Sequence, residues 1–151
     1  MNRRTSLKLL GSLAVSLSTG FAQGQPDLLR GLEATIYKSP TCGCCSGYVD
    51  FLKAQGVKVQ VVLQEDLGSV KARFGIPAQA QSCHITLIGG YVVEGHVPLL
   101  ALKKLLRERP KLDGIALPGM PIGTPGMPGT KTAAYQILSL YKSQLKPYMT
   151  L

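Results

Sequence analysis

Three of the four cysteines in this 151-residue chain lie within four residues, in the CxCC motif Cys42-Gly43-Cys44-Cys45. The β-branched and apolar run 34–37 precedes the motif, and a helical pattern over about 46–55 follows it. This order predicts a strand-to-helix turn with the thiols at a helix N-terminus, where the helix dipole lowers the pKa of a thiol. We therefore expect partly ionised thiols that can bind a soft metal or attack a disulfide.

The fourth cysteine, Cys83, stands directly before a second apolar run, Ile85-Thr86-Leu87-Ile88. A strand at 85–88 in the same sheet as 34–37 would let Cys83 face the CxCC motif. This long-range pairing is the main structural prediction from the sequence.

The remaining patterns predict a single α/β domain with a thioredoxin-like βαβ-αββα plan over residues 33–112. A helix between strands one and two implies that these strands pair in parallel through a right-handed crossover, and Gly89-Gly90 predicts a hairpin. Residues 113–151 form a Pro/Gly/Met-rich C-terminal extension that covers the site, in which 133–141 is either an edge strand or a short helix. The predicted elements are strands at 33–37, 57–63, 85–88 and 91–93, and helices at 46–55, at 67–74 with Asp66 as its cap, and from Pro98 onward.

Residues 1–22 have the pattern of a signal peptide: basic residues, then a short apolar core, then small residues. The apolar core is too short and too rich in Ser and Gly for a good membrane span, so we prefer export to the alternative of a membrane anchor. Arg3-Arg4 fits the twin-arginine route as well as the general secretory one. We expect a periplasmic protein whose mature chain has no membrane span.

The formal net charge is +9, but three of these positive charges lie in the predicted signal peptide. The other basic residues are scattered and the chain has no Trp, whereas a nucleic-acid-binding surface has a basic stripe with interleaved aromatic residues. We therefore expect no nucleic-acid partner, and we expect a monomer.

Export to an oxidising compartment would usually turn four cysteines into two disulfides, with three possible connectivities. Adjacent Cys44 and Cys45 cannot easily pair, and a bridge between Cys42 and Cys45 closes a loop too small to add much stability. Three thiols in one turn therefore indicate metal binding or disulfide exchange more than structural disulfides.

Other soft donors accompany the thiols. Thiolates with thioethers select Cu(I) over hard cations, while zinc would accept four cysteines. Because adjacent cysteines point in different directions, we favour thiolates that bridge more than one Cu(I) over a single tetrahedral centre. Each added donor has a plainer alternative: a histidine can serve as an ordinary hydrogen-bonding residue, and a methionine can cover apolar surface. The candidate ligands are Cys42, Cys44, Cys45, Cys83, His84, His96, Met120 and Met127.

Five segments form a combined pattern that is more specific than the CxCC motif alone: Tyr37 to Cys45, Ser82-Cys83-His84, Gly89-Gly90-Tyr91, Glu94 to Pro98 and Leu117 to Pro121. Taken together, these segments resemble the CopG-like copper-resistance proteins, small exported CxCC proteins. The resemblance covers about 34–127 and implies a thioredoxin-like domain whose C-terminal extension helps to bind copper. It also implies a cysteine-bridged cluster of more than one copper ion, interconversion of Cu(I) and Cu(II), and partners among periplasmic copper efflux or chaperone proteins.

Other functions remain open. A thiol-disulfide oxidoreductase would use Cys42 to attack and Cys45 to resolve. Such thioredoxin-like enzymes carry a cis-proline before the third strand, where this chain has Ser82-Cys83, and this difference favours metal binding. A passive copper chaperone or store would use the same ligands without redox turnover, so the chain is a copper oxidoreductase only under the redox hypothesis. Arsenate reduction ranks lower, because no arginine follows the cysteines closely.

Overall fold

The computed structural model describes residues 27–151, and the predicted signal peptide lies outside this range. The described residues form one mixed seven-stranded sheet with helices on both faces, as the α/β prediction requires. No helix in this part of the chain is long and apolar enough to cross a membrane. The strands are Glu33–Lys38 (β1), Lys58–Leu63 (β2), His84–Ile88 (β3), Tyr91–Glu94 (β4), Gly114–Ala116 (β5), Gln136–Tyr141 (β6) and Gln144–Thr150 (β7), and the helices are Gly43–Ala54 (α1), Leu67–Arg73 (α2) and Leu99–Glu108 (α3).

The sheet order is β2-β1-β3-β4-β5-β6-β7. Strands β1 and β2 are parallel, as the helix between them predicts, and β4 and β5 are also parallel. The Gly89-Gly90 hairpin joins antiparallel β3 and β4. The stretch 133–141, for which strand and helix both remained open, contains strand β6, and β7 follows it as the outer edge.

Apolar side chains divide between the two faces of the sheet. Helices α1 and α3 cover one face with a large core that includes Leu52 and Leu105. A smaller core on the other face contains Val70 from α2 together with Ile85 and Leu140 from the sheet. Asp66 caps α2 by accepting a hydrogen bond from the Ser69 amide, as the sequence predicts. The two cores pack on opposite faces of β1 and β3, which both lie inside the sheet.

The loop between β5 and β6 lies directly against α1, at a contact between two glycines. A Cβ at Gly47 would come within 2.9 Å of the Gly126 Cα. A Cβ at Gly126 would lie 2.6 Å from the Cys44 carbonyl oxygen and 2.7 Å from the Tyr48 amide nitrogen. Only glycine at both positions allows the loop to approach the first turns of α1.

This contact predicts that Gly126→Ala destabilises the protein more than Gly119→Ala does. Both glycines have positive φ, +83° and +70°, so both substitutions carry a similar backbone strain. A Cβ at Gly119 meets nothing within 4 Å, whereas one at Gly126 meets backbone that cannot move aside. We expect an extra loss of about 1–3 kcal/mol for Gly126→Ala from overpacking. Urea unfolding measures the difference, and equal losses would contradict tight packing of the loop on α1.

Candidate metal centre

The CxCC motif lies where β1 leads into α1. Cys42 is the N-cap residue of α1, and Cys44 and Cys45 lie in its first turn. The Cys42 side chain makes no capping hydrogen bond, and the first turn of α1 contains no acidic residue. The helix dipole at this position therefore favours negative charge on the sulfur atoms.

Two of the motif's cysteines are bonded to each other. Cys42 and Cys45 form a disulfide, while Cys44 and Cys83 are free. Among the functions that the sequence leaves open, the thiol-disulfide oxidoreductase is the one that uses this pair of cysteines. In this oxidised form only Cys44 and Cys83 can supply thiolates, so the predicted set of four thiolates requires reduction of the Cys42–Cys45 bond by two electrons.

The position of Cys83 follows from the pairing of β1 with β3. In that antiparallel register Lys38, the last residue of β1, lies opposite His84, the first residue of β3. Cys83 therefore lies beside the loop that carries the CxCC motif. Its Sγ is 3.7 Å from Cys44 Sγ, which in turn is 3.5 Å from Cys42 Sγ.

Two buried imidazoles also lie close to Cys83. Its Sγ is 3.0 Å from His96 Nε2 and 3.4 Å from His84 Nδ1. His96 Nδ1 lies 2.7 Å from the Pro125 carbonyl oxygen, which can only accept, so Nδ1 carries the proton and Nε2 keeps a lone pair directed at Cys83. Tyr48 is fully buried beside both rings, and its hydroxyl donates a hydrogen bond to the Val97 carbonyl oxygen.

Burial sets the protonation of these groups. It lowers the pKa of His84 to about 3, with the charge of His96 as the next cause, and it also lowers the pKa of His96. Both imidazoles are therefore neutral at pH 7, which is the form that binds metals. Burial first, and the charge of Cys44 second, raise the pKa of the Cys83 thiol to about 12. Cys83 is thus protonated until a metal displaces its proton, in contrast to the ionised thiols expected of the motif.

The donors form two groups that share Cys83. The four cysteine sulfurs all lie within 4.8 Å of one another, and Cys83, His84 and His96 form a second group at the same spacing. Sulfurs this close can bind one tetrahedral ion or bridge several ions, so the adjacency of Cys44 and Cys45 does not decide between these two arrangements. The donor set of thiols and imidazoles fits soft or borderline metal ions such as copper and zinc, and fits hard cations poorly.

The methionines lie in the loop that packs on α1. Met120 is 53% exposed, and Met127 is partly buried, with its backbone amide donating to the Thr124 carbonyl oxygen. Within residues 27–151 the structure describes no contact that joins either thioether to the cluster, so Met120 and Met127 remain predicted ligands.

Sequence reasoning missed a buried ion pair behind Cys83. Lys71 Nζ lies 2.7 Å from Glu94 Oε1, and both side chains are almost fully buried. Glu94 directly follows the apolar strand predicted at 91–93, and a carboxylate beside such a strand is a signal of a buried partner. No pattern in the short helix α2 distinguishes Lys71 from a surface lysine.

Comparison with known proteins shows the family to which this chain belongs. Residues 80–127 match the model of DUF411, a family described as proteins of unknown function. Two solved structures titled copper resistance protein CopG, forms 2 and 1, are each 41% identical to this chain and cover 80% of it, with TM-scores of 0.73 and 0.72. The matches span 98% and 97% of those chains. No curated protein matches the chain. By this identity over most of its length, the chain belongs to the family of the copper resistance protein CopG.

Proposed function

We propose that this protein is exported to the periplasm, where it binds copper as part of copper resistance and interconverts Cu(I) and Cu(II). The observation that carries the proposal is the cluster of four cysteine sulfurs within 4.8 Å of one another, with two neutral imidazoles at its edge. In the reduced protein this cluster supplies Cys42, Cys44, Cys45 and Cys83 as soft thiolate ligands, which suit Cu(I). Thiolates that bridge more than one copper ion make the best use of adjacent cysteines.

The Cys42–Cys45 pair supplies the electrons in this proposal. When the two thiolates form their disulfide, they release two electrons, which reduce two Cu(II) ions to two Cu(I) ions. The reverse reaction oxidises two Cu(I) ions and restores both thiolates. Imidazole ligands suit Cu(II) as well as zinc, so His96 and His84 support the oxidised metal.

The proposal includes a thioredoxin-like domain, with residues 113–151 as an extension over the site. Support comes from the strand-to-helix position of the CxCC motif and from the Pro125 carbonyl oxygen, which fixes His96 from the loop of that extension. Met120 and Met127 add thioethers from the same loop. Periplasmic copper efflux or chaperone proteins are the expected partners for delivery and removal of copper.

The observed disulfide favours one alternative, a thiol-disulfide oxidoreductase. In that function Cys42 attacks a protein disulfide and Cys45 resolves it, while Cys44 and Cys83 have no chemical role. A passive copper store is a further alternative, which would bind copper without changing the state of the disulfide.

The variant Cys44→Ser separates these functions, because it removes one proposed copper ligand and keeps the Cys42–Cys45 pair. We expect the reduced wild-type protein to bind more than one Cu(I) per chain, the oxidised protein to bind less, and reduced Cys44→Ser to lose most of its copper. Metal analysis after anaerobic loading and desalting measures the stoichiometry.

The same variant is then tested for reduction of insulin disulfides. Little copper on the reduced wild-type protein, together with efficient insulin reduction by Cys44→Ser, would reject the cluster and favour the oxidoreductase. Addition of two equivalents of Cu(II) to the reduced wild-type protein separates turnover from storage: interconversion produces two Cu(I) ions and one disulfide per chain, whereas a passive store leaves the thiols reduced.

The methionines provide a second test. Met120→Leu and Met127→Leu remove a thioether and keep an apolar side chain of similar volume, so we expect a loss of Cu(I) affinity of about tenfold or less and little change in stability. Ile122→Leu is the matched control, because Ile122 lies in the same loop with 52% exposure against 53% for Met120. Competition with a chromophoric Cu(I) chelator measures the affinities. Equal affinities for all three variants would remove the methionines from the ligand set.

A further inference from the structure

The pair Lys71 and Glu94 is unusual in this protein, because both charges are buried. The two side chains are 5% and 0% exposed, whereas the ion pairs Arg30–Asp27 and Lys104–Glu108 are substantially exposed. A buried ion pair seldom adds net stability, because the desolvation of both charges offsets their attraction. The retention of such a pair in this small domain requires another explanation.

The pair holds the backbone of one residue, Ser82, from both sides. Lys71 Nζ donates a hydrogen bond to the Ser82 carbonyl oxygen, and the Ser82 amide donates to Glu94 Oε1 over 2.6 Å. The same Oε1 accepts from Lys71 Nζ at 2.7 Å. Lys71 comes from α2 and Glu94 from the end of β4, so two separate elements converge on Ser82.

Further contacts leave Ser82 little freedom. Its hydroxyl donates a hydrogen bond to the carbonyl oxygen of Gly119, in the loop between β5 and β6. A Cβ at Gly95 would lie 2.6 Å from the Ser82 Cβ, so glycine is needed there for the two segments to approach. The next residue is Cys83, whose Sγ belongs to both groups of candidate ligands.

We propose that Lys71 and Glu94 act as a backbone clamp on Ser82, and that this clamp positions the Cys83 sulfur opposite the CxCC motif. No cis peptide bond occurs in the described residues, so the chain does not use a cis-proline to shape this segment. The clamp instead holds a trans peptide in place through two charge-assisted hydrogen bonds, which are stronger than neutral ones. Lys71 and Glu94 are thus positioning residues that act through Ser82 and are not ligands themselves.

The inference deepens the proposed copper function and rests on it for its relevance, but its geometry can be tested without copper. The double variant Lys71→Met/Glu94→Leu removes both buried charges together and replaces them with apolar side chains, a change that often leaves stability unaltered or improved. The single variants Lys71→Met and Glu94→Leu each leave one buried charge unpaired and serve as destabilised references.

The first readout is the rate at which Cys44 and Cys83 form a disulfide, which depends on how closely their two sulfurs are held. In protein with the Cys42–Cys45 disulfide intact, diamide oxidises Cys44 and Cys83 to a disulfide, taking up the two hydrogens itself, and peptide mapping by mass spectrometry follows the rate. The second readout is Cu(I) affinity after reduction. We expect the double variant to unfold at a temperature close to that of wild type, yet to form the Cys44–Cys83 bond at least about fivefold more slowly. We also expect it to bind Cu(I) about tenfold more weakly, as is typical when groups that orient a ligand are lost.

A purely structural role predicts a different pattern, in which recovery of stability in the double variant also restores both readouts. That result would overturn the proposal. Should the double variant not fold, Glu94→Gln, which keeps the side-chain shape and removes the charge, is the deciding variant: slower Cys44–Cys83 bond formation supports the clamp, and a wild-type rate rejects it. If neither the double variant nor Glu94→Gln folds, the pair is needed for folding alone, and this result would also overturn the proposal. If wild type binds no copper while bond formation still depends on the pair, the proposed function fails and the clamp stands.

Discussion

The pairing of β1 with β3 is the contact on which the site depends. The register that sets Lys38 opposite His84 fixes Cys83 next to the turn after β1. Both strands lie inside the sheet, with a neighbour on each side and a core on each face, so this register cannot slip by one residue without exposing buried side chains. The protein therefore brings together thiols that are 39 residues apart without a covalent link between them.

A second constraint closes the site from the C-terminal side. The contact between Gly47 and Gly126 brings the loop after β5 onto α1, and the residue before Gly126 is the one whose carbonyl oxygen orients His96. A loop without regular structure thus selects the tautomer of a candidate ligand. Because the loop connects two strands of the same sheet, β5 and β6, both of its ends are anchored. Its packing on α1 consequently costs less conformational entropy than ordering a free tail would.

The elements near the motif could be read from the sequence because each has a local signal. The alternation of valines, the Gly-Gly hairpin and the cap at Asp66 all act over a few residues, and each appears where the sequence predicts it. The Lys71–Glu94 pair left no such signal, since its members lie on different elements and meet only after the sheet forms. A glycine inside a helix, such as Gly47, likewise indicates only a weak helix former in the sequence, because its contact with the Gly126 backbone is seen only in the structure.

Cys83 links the metal chemistry of the site to its redox chemistry. With the Cys42–Cys45 disulfide present, the donors around Cys83 are one free thiol and two neutral imidazoles. Reduction adds the thiolates of Cys42 and Cys45, whose sulfurs lie within 4.8 Å of the Cys83 sulfur. Under the proposed function, the two-electron step that reduces Cu(II) also removes two soft ligands, so the site loses affinity for Cu(I) as Cu(I) is formed. The product is then released more readily. An external dithiol, which is itself oxidised to a disulfide, supplies the two electrons that reduce Cys42–Cys45 again and restore the binding site. A store without this coupling would hold its copper until a stronger ligand removed it.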